Sequence, residues 1–142
     1  PPEGCFCIED DIYVHEGIRI LGLGGSMRYR PGTHQYTETE MRRRIRRLRL
    51  KLWRYGGFDI LVTHAPMQGF HDGEDRCHQG FAAFRSLLEQ YQPKYFLHGH
   101  MHMNYGGKIP RISMFGETVV INAYRTYTFD YGDDTLRKKA EL

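Results

Sequence analysis

The sequence has no long apolar run. Nothing in it approaches the roughly 18 consecutive apolar residues that a membrane-spanning helix needs, and its longest apolar stretches are the length of strands. A membrane partner is therefore not expected. Cysteine is scarce and odd in number: Cys5, Cys7 and Cys77. Cys5 and Cys7 lie too close together for an easy mutual bridge, so no disulfide framework is expected and a reducing, cytoplasmic setting fits best. With no second Cys or His pair near it, Cys5-Phe6-Cys7 does not read as a closed zinc site. The chain opens Pro1-Pro2-Glu3-Gly4, with neither an initiator methionine nor a basic leader and apolar run. We read that opening as a cut end, and the 142 residues as one partial domain. Internal repeats and low-complexity segments are absent.

Charge is present but unevenly placed. Residues 42–54 contain Arg42, Arg43, Arg44, Arg46, Arg47, Arg49, Lys51 and Arg54 and no acid, whereas the other 12 basic residues meet 17 acids, a balance of −5. One helix thus carries the whole net +3. Such a stripe is either a nucleic-acid face or a solvated helix surface. The second is the expectation, because aromatic residues do not alternate with the charges as they do in base-stacking platforms.

Strands and helices alternate along the chain. Ile12 to His15 and Ile18 to Leu23, flanking Glu16-Gly17, predict a hairpin. Gly22, Gly24 and Gly25 follow, without the third glycine spacing of a dinucleotide loop. Thr37 and Glu40 form a capping box ahead of a helix whose buried stripe is Met41, Ile45, Leu48 and Leu52, with the arginines on its other faces and Gly56-Gly57 as its stop. Phe58 to Val62 reads as a strand buried on both faces, suited to a parallel sheet, and it delivers Thr63-His64-Ala65-Pro66. After a loop rich in Gly, Asp and His, Asp75 is expected to cap a helix from Arg76 to Gln90, with Phe81, Phe84, Leu87 and Leu88 on its core face. Lys94 to Leu97 predicts another strand. The tail, Ile109 to Ser113, Thr118 to Asn122 and Tyr124 to Phe129, predicts an antiparallel meander, followed by a polar terminus from Asp133.

The last of the parallel strands ends in Phe96-Leu97-His98-Gly99-His100-Met101-His102. Residues two apart on an extended chain point to one side, so His100 and His102 are expected to face one spot. Right-handed crossovers put the strand C-termini on one edge of the sheet, which brings His64 to them. Neutral imidazole is the commonest metal ligand and suits zinc, iron and nickel. His98 is expected to be structural or to support a ligand from behind, and His15 and His34 to be ordinary exposed histidines.

Thr-His-Ala-Pro after one strand and Gly-His-Met-His after the next, with a helix between, resembles the last two motifs of the calcineurin-like metallophosphoesterase superfamily. Asn104-Tyr105-Gly106 and Thr118 to Ala123 also look like members of it, and the resemblance runs from about Ile18 to Phe129. It implies an α/β fold, the C-terminal portion of a metallophosphoesterase β-sandwich flanked by helices, closed by the antiparallel meander. It also implies hydrolysis of a phosphomonoester or phosphodiester by water activated between two divalent metal ions, of manganese, iron, zinc or nickel. By the resemblance His64 and His100 bind one ion and His102 the other. The family's earlier motifs, Asp-x-His, Gly-Asp-x-x-Asp and Gly-Asn-His, are not in this chain. No catalytic residue is therefore assigned here, and the missing N-terminal part of the same domain is an expected partner beside the phosphate-ester substrate. Arg28, His71, His78, Asn104 and Tyr105 are candidates to touch substrate. The alternatives are a single-zinc hydrolase using the three histidines with an open fourth position, and a non-enzymatic nucleic-acid-binding module using helix 42–54.

Overall fold

The computed structural model describes residues 1–102 and 110–140. β1 (Asp11–His15) and β2 (Ile18–Leu23) form the expected hairpin, with His15 opposite Ile18. Glu16 and Gly17 both take positive φ, 48° and 81°, the two-residue turn whose twist matches that of paired strands. β2 runs parallel to β5 (Ile60–Thr63), β5 to β6 (Tyr95–His98), and β6 to β8 (Thr118–Asn122), while β7 (Ile112–Phe115) pairs antiparallel with β8. The sheet order is β1-β2-β5-β6-β8-β7. β3 (Ser26–Met27) and β4 (Gln35–Tyr36) form a separate parallel pair.

The pleat sorts the strand residues onto two faces. Leu21, Leu61, Phe96 and Val120 point to one core, shared with Met41, Leu48 and Leu52 of the basic segment and with Phe81, Phe84, Leu87 and Leu88. Their neighbours Ile60, Tyr95, Val119 and Ile121 form a second core with Leu136 on the opposite face. The result is a mixed α/β fold, a central sheet with helices on both faces. Phe81, Phe84 and Phe96 are fully buried, and truncating any one to alanine would cost about 3–5 kcal/mol.

The capping box forms as expected: Thr37 Oγ1 accepts the Glu40 N–H at 3.2 Å and Glu40 Oε2 accepts the Thr37 N–H at 2.7 Å. The helix it opens is two helices, α1 (Glu38–Arg47) and α2 (Arg49–Tyr55), broken at Leu48, whose N–H bonds the Ile45 carbonyl. Gly56 ends α2 at φ 66°. Not every arginine here faces solvent. Arg44 is buried, with its guanidinium on Asp10 and Glu9, on the Gly24 carbonyl at 2.7 Å, and over the Tyr36 ring at 4.2 Å.

Two further expectations fail for physical reasons. The helix placed from Arg76 begins only at α3 (Ala82–Tyr91), with Phe81 as an N-cap lacking a side-chain bond. Gly80 lies against the backbone of Pro66 and Met67, where a Cβ would come within 2.5 Å. Phe81 donates its N–H to the Pro66 carbonyl, and Gln68 donates to that of Phe81, so the segment is extended there and Asp75 is left with another role. Among the described residues, Tyr124 to Phe129 does not form the third strand of the meander. Arg125 takes φ 66°, and Tyr127 and Phe129 pack irregularly on the second core. The polar terminus contains a short helix, α4 (Thr135–Ala140), anchored by buried Leu136. Among the described residues no helix is long and apolar enough to cross a membrane.

Candidate metal centre

Adjacent parallel strands β5 and β6, paired with Val62 opposite Leu97, release their chains at the same edge of the sheet, where α/β folds place ligands. Gly99 donates its N–H to the His64 carbonyl at 3.1 Å and ties the two exits together. His100 then takes φ 66°, which turns its ring back toward His64. His64 Nε2 and His100 Nδ1 come within 2.8 Å, with ring centroids 4.7 Å apart. His100 Nε2 lies 2.5 Å from the Cys77 carbonyl oxygen. A carbonyl only accepts, so Nε2 carries the proton and the neutral ring leaves a bare lone pair on Nδ1. Burial, and then the neighbouring His100, lower the His64 pKa, which favours its neutral, ligating form.

These donors suit one divalent ion. Two imidazole nitrogens converge, one with its tautomer set from behind by a backbone carbonyl, a partner metal-bound histidines regularly have. Both rings keep contact with solvent, and a cavity of about 380 Å3 opens beside His64 between Leu23, Gly24, Thr63 and the segment Cys7 to Glu9.

His102 does not join the pair. The Met101 N–H turns back to the Gly99 carbonyl at 2.7 Å, so the chain is not extended through the cluster, and the His102 ring stacks on Tyr124 at 4.5 Å. Among the described residues, the group of three whose ligand atoms all lie within 4.8 Å is Asp75, Cys77 and His78. A single ion on His64, His100 and His102 therefore needs a rearranged chain, which removes the geometric basis of the single-zinc reading.

The candidate substrate residues separate. His71 is turned inward: its Nδ1 lies 3.0 Å from His98 Nε2 and its Nε2 2.7 Å from Ser113 Oγ. His98 Nδ1 faces the Gly99 carbonyl, so its proton is on Nδ1. Neutral rings then order the chain one way, with Ser113 donating to His71, His71 to His98, and His98 to the carbonyl. Burial pushes His71 down to about 4 and His98 to about 3, so both stay neutral. His98 is structural, as expected, and His71 belongs with it rather than with substrate. Arg28 is paired with Glu40 at 2.9 Å and lines a cavity of about 520 Å3 with Tyr29, Arg30, Thr37 and Arg76. His78 sits beside the metal pair, its ring 5.3 Å from that of His100. Asn104 and Tyr105 lie outside the described residues. The Cys77 carbonyl and Ser113 escape sequence reading, since neither a backbone oxygen nor a lone serine leaves a pattern.

A model of the calcineurin-like phosphoesterase family matches residues 4–104. Comparison with curated proteins gives no significant match. Among solved structures, the crystal structure of TT1561 of Thermus thermophilus is similar with a TM-score of 0.54 and 18% identity, over 82% of this chain and 48% of that one. A second crystal structure gives a TM-score of 0.54 and 16% identity, over 82% of this chain and 45% of its own. The chain thus spans less than half the length of either structure, and at these identities the likeness is one of fold. The family match covers most of the chain and includes both histidine motifs at the sheet edge: the chain belongs to the calcineurin-like phosphoesterase family.

Proposed function

We propose that this chain supplies the histidine side of a two-ion centre that hydrolyses a phosphate ester. The observation that carries the reading is the convergence of His64 Nε2 and His100 Nδ1 at the ends of β5 and β6. His64 and His100 hold one ion and His102 contributes to the other. When bound, such ions supply a nucleophilic water at neutral pH and charge stabilisation for the phosphoryl group.

The chain's own work is positioning. Gly99 fixes the spacing of the two strand exits, the Cys77 carbonyl holds the His100 tautomer, and the neutral relay of Ser113, His71 and His98 stiffens the end of β6 from below. Three imidazoles bring no negative charge to offset two divalent ions, and hard ions such as manganese prefer oxygen ligands. We therefore place the carboxylate ligands in a part of the domain outside this chain, in motifs of the form Asp-x-His and Gly-Asp-x-x-Asp.

The test is hydrolysis of p-nitrophenyl phosphate and bis-p-nitrophenyl phosphate by the longer parent protein after metal removal and reloading. Hydrolysis that returns with metal supports the reading. A parent sequence without upstream carboxylate motifs, or hydrolysis indifferent to chelation, rejects it.

One observation favours a second activity. Leu50 and Trp53 are 73% and 79% exposed on α2, and Trp53 offers the aromatic face that the basic stripe otherwise lacks, beside Arg49 and Arg54. Single-stranded nucleic-acid binding that weakens with salt and is lost in Trp53→Ala supports it. Absence of such binding leaves the stripe as a solvated surface, and binding unchanged by Trp53→Ala removes Trp53 as its stacking platform.

A further inference from the structure

The loop between β5 and α3 contains a cluster whose side chains the proposed centre does not use. His78 Nδ1 lies 2.7 Å and 2.8 Å from the two carboxylate oxygens of Asp75. Cys77 Sγ lies 3.3 Å from the same nitrogen. One oxygen, one sulfur and one nitrogen thus fall within 4.8 Å of one another. We propose that Asp75, Cys77 and His78 form an additional cation site, separate from the His64 and His100 pair, for a borderline-soft ion such as zinc.

Three features support it. The first is spacing. Zinc takes oxygen and nitrogen at about 2.0–2.2 Å and sulfur at about 2.3 Å, so ligand atoms on one tetrahedral ion stand somewhat over 3 Å apart. The His78 nitrogen meets that distance to Cys77 Sγ and reaches it at the carboxylate by opening a few tenths of an ångström, while the oxygen and sulfur lie within 4.8 Å of each other. The second is preorganisation. The loop is closed at its base by the Phe81 to Pro66 bond, and within it Gly73 donates to the His78 carbonyl at 3.0 Å, Gly80 donates to Asp72 at 3.1 Å, and the His78 N–H bonds Asp75 Oδ1 at 3.0 Å. The ligands are thus held near their places before any ion arrives.

The third is chemistry. A thiolate selects zinc, cadmium or cobalt over magnesium and calcium. A divalent ion among these ligands favours the thiolate over the thiol. On loading, the thiol proton leaves to solvent and the His78 ring proton moves from Nδ1 to Nε2, freeing the Nδ1 lone pair. Three protein ligands leave the fourth position to water.

The site would also act on its neighbour. Cys77 supplies the carbonyl that holds His100 Nε2, and the His78 and His100 rings are 5.3 Å apart. An ion here stiffens the loop that orients His100 without touching His100 itself.

The experiment is titration of the purified metal-free protein with cobalt(II), read by the near-ultraviolet thiolate-to-cobalt charge-transfer band. The band should appear with one equivalent and be displaced by zinc. It should persist in Cys5→Ser/Cys7→Ser and in His64→Ala/His100→Ala, and vanish in Cys77→Ser. Asp75→Asn should weaken the binding at least about tenfold. Cys77→Ser changes one atom, and its thermal melt checks that the fold is kept. Absence of the band in the wild-type protein, its survival in Cys77→Ser, or its loss in the double histidine variant would overturn the proposal.

Discussion

His64 Nε2 stands 2.8 Å from His100 Nδ1 although 36 residues separate them in the chain. A loop, the helix α3 and the strand β6 intervene, and the contact exists because β5 and β6 are adjacent and parallel. A parallel pair ends on one edge, so any residue just past either strand meets its counterpart across about one strand spacing, 4.7–4.9 Å.

The pair should be separable from folding by substitution. His100 occupies positive φ, which asparagine tolerates better than other residues without glycine's freedom. His100→Asn should therefore keep the thermal melt of the wild type while metal affinity, by calorimetry, falls at least about 10–100-fold. A variant with unaltered affinity would remove His100 from the centre. Because its pKa is lowered, His64 should stay competent to ligate below the ordinary imidazole value, so binding through it should persist to a lower pH than for a solvated histidine.

The buried relay makes an acid-sensitive fold. Above about pH 6.5, His71 is neutral both folded and unfolded. Between 6.5 and about 4 the unfolded chain takes up a proton that the folded one refuses, so stability must fall as pH falls. By pH 4 the loss from His71 alone is on the order of 3 kcal/mol, and it levels off below its folded pKa. Urea midpoints measured from pH 7 to pH 4.5 should drop steeply in the wild type and less steeply in His71→Asn. Parallel slopes would show that His71 does not titrate as buried.

Ser113 tests the direction of that relay. Its hydroxyl is the donor to His71 Nε2, so Ser113→Ala leaves a buried acceptor without a partner, at a cost of about 1–3 kcal/mol in urea denaturation. Ser113→Thr keeps the hydroxyl and should recover most of it.

Arg44 should matter more than its neighbours. Its fork joins Asp10, Glu9 and the Gly24 carbonyl, binding the hairpin and glycine loop to α1. Arg44→Ala should cost about 1–3 kcal/mol, and Arg44→Lys should rescue little because lysine cannot make the planar fork. Arg46→Ala, on the exposed face, should stay within about 0.5 kcal/mol.

Gly80 sets the loop. A Cβ there meets the backbone of Pro66 and Met67 at 2.5 Å, and backbone cannot rotate away as a side chain can. Gly80→Ala should destabilise by about 1–3 kcal/mol and should also reduce metal affinity, since it displaces the segment two residues beyond His64 and the loop that holds the Cys77 carbonyl. A Gly80→Ala protein with wild-type melting and binding would show that the loop closes by another route.

The local grammar of the sequence determined much of this protein. Thr37 and Glu40 announce their capping box, Glu16-Gly17 its hairpin and Gly56 its helix stop, because each is a bargain struck among residues a few positions apart. Helical spacing likewise identifies Met41 and Leu52 as core, the apolar run from Phe58 to Val62 marks a strand buried on both faces, and the topology of parallel strands is enough to bring His64 toward His100. Tertiary structure alone decided the rest. α3 starts late because the Pro66–Met67 backbone crosses at Gly80, a contact between segments 13 to 14 residues apart. Arg44 is buried because Asp10 and Glu9 come from the far side of a hairpin, so its basic neighbours give no warning. His71, in the loop after β5, turns inward because His98 of β6 and Ser113 of β7 meet it, and His100 owes its tautomer to the carbonyl of Cys77. Each of these depends on which distant backbone atom lies within hydrogen-bond reach, and that distance is set only when the sheet and its loops close on one another.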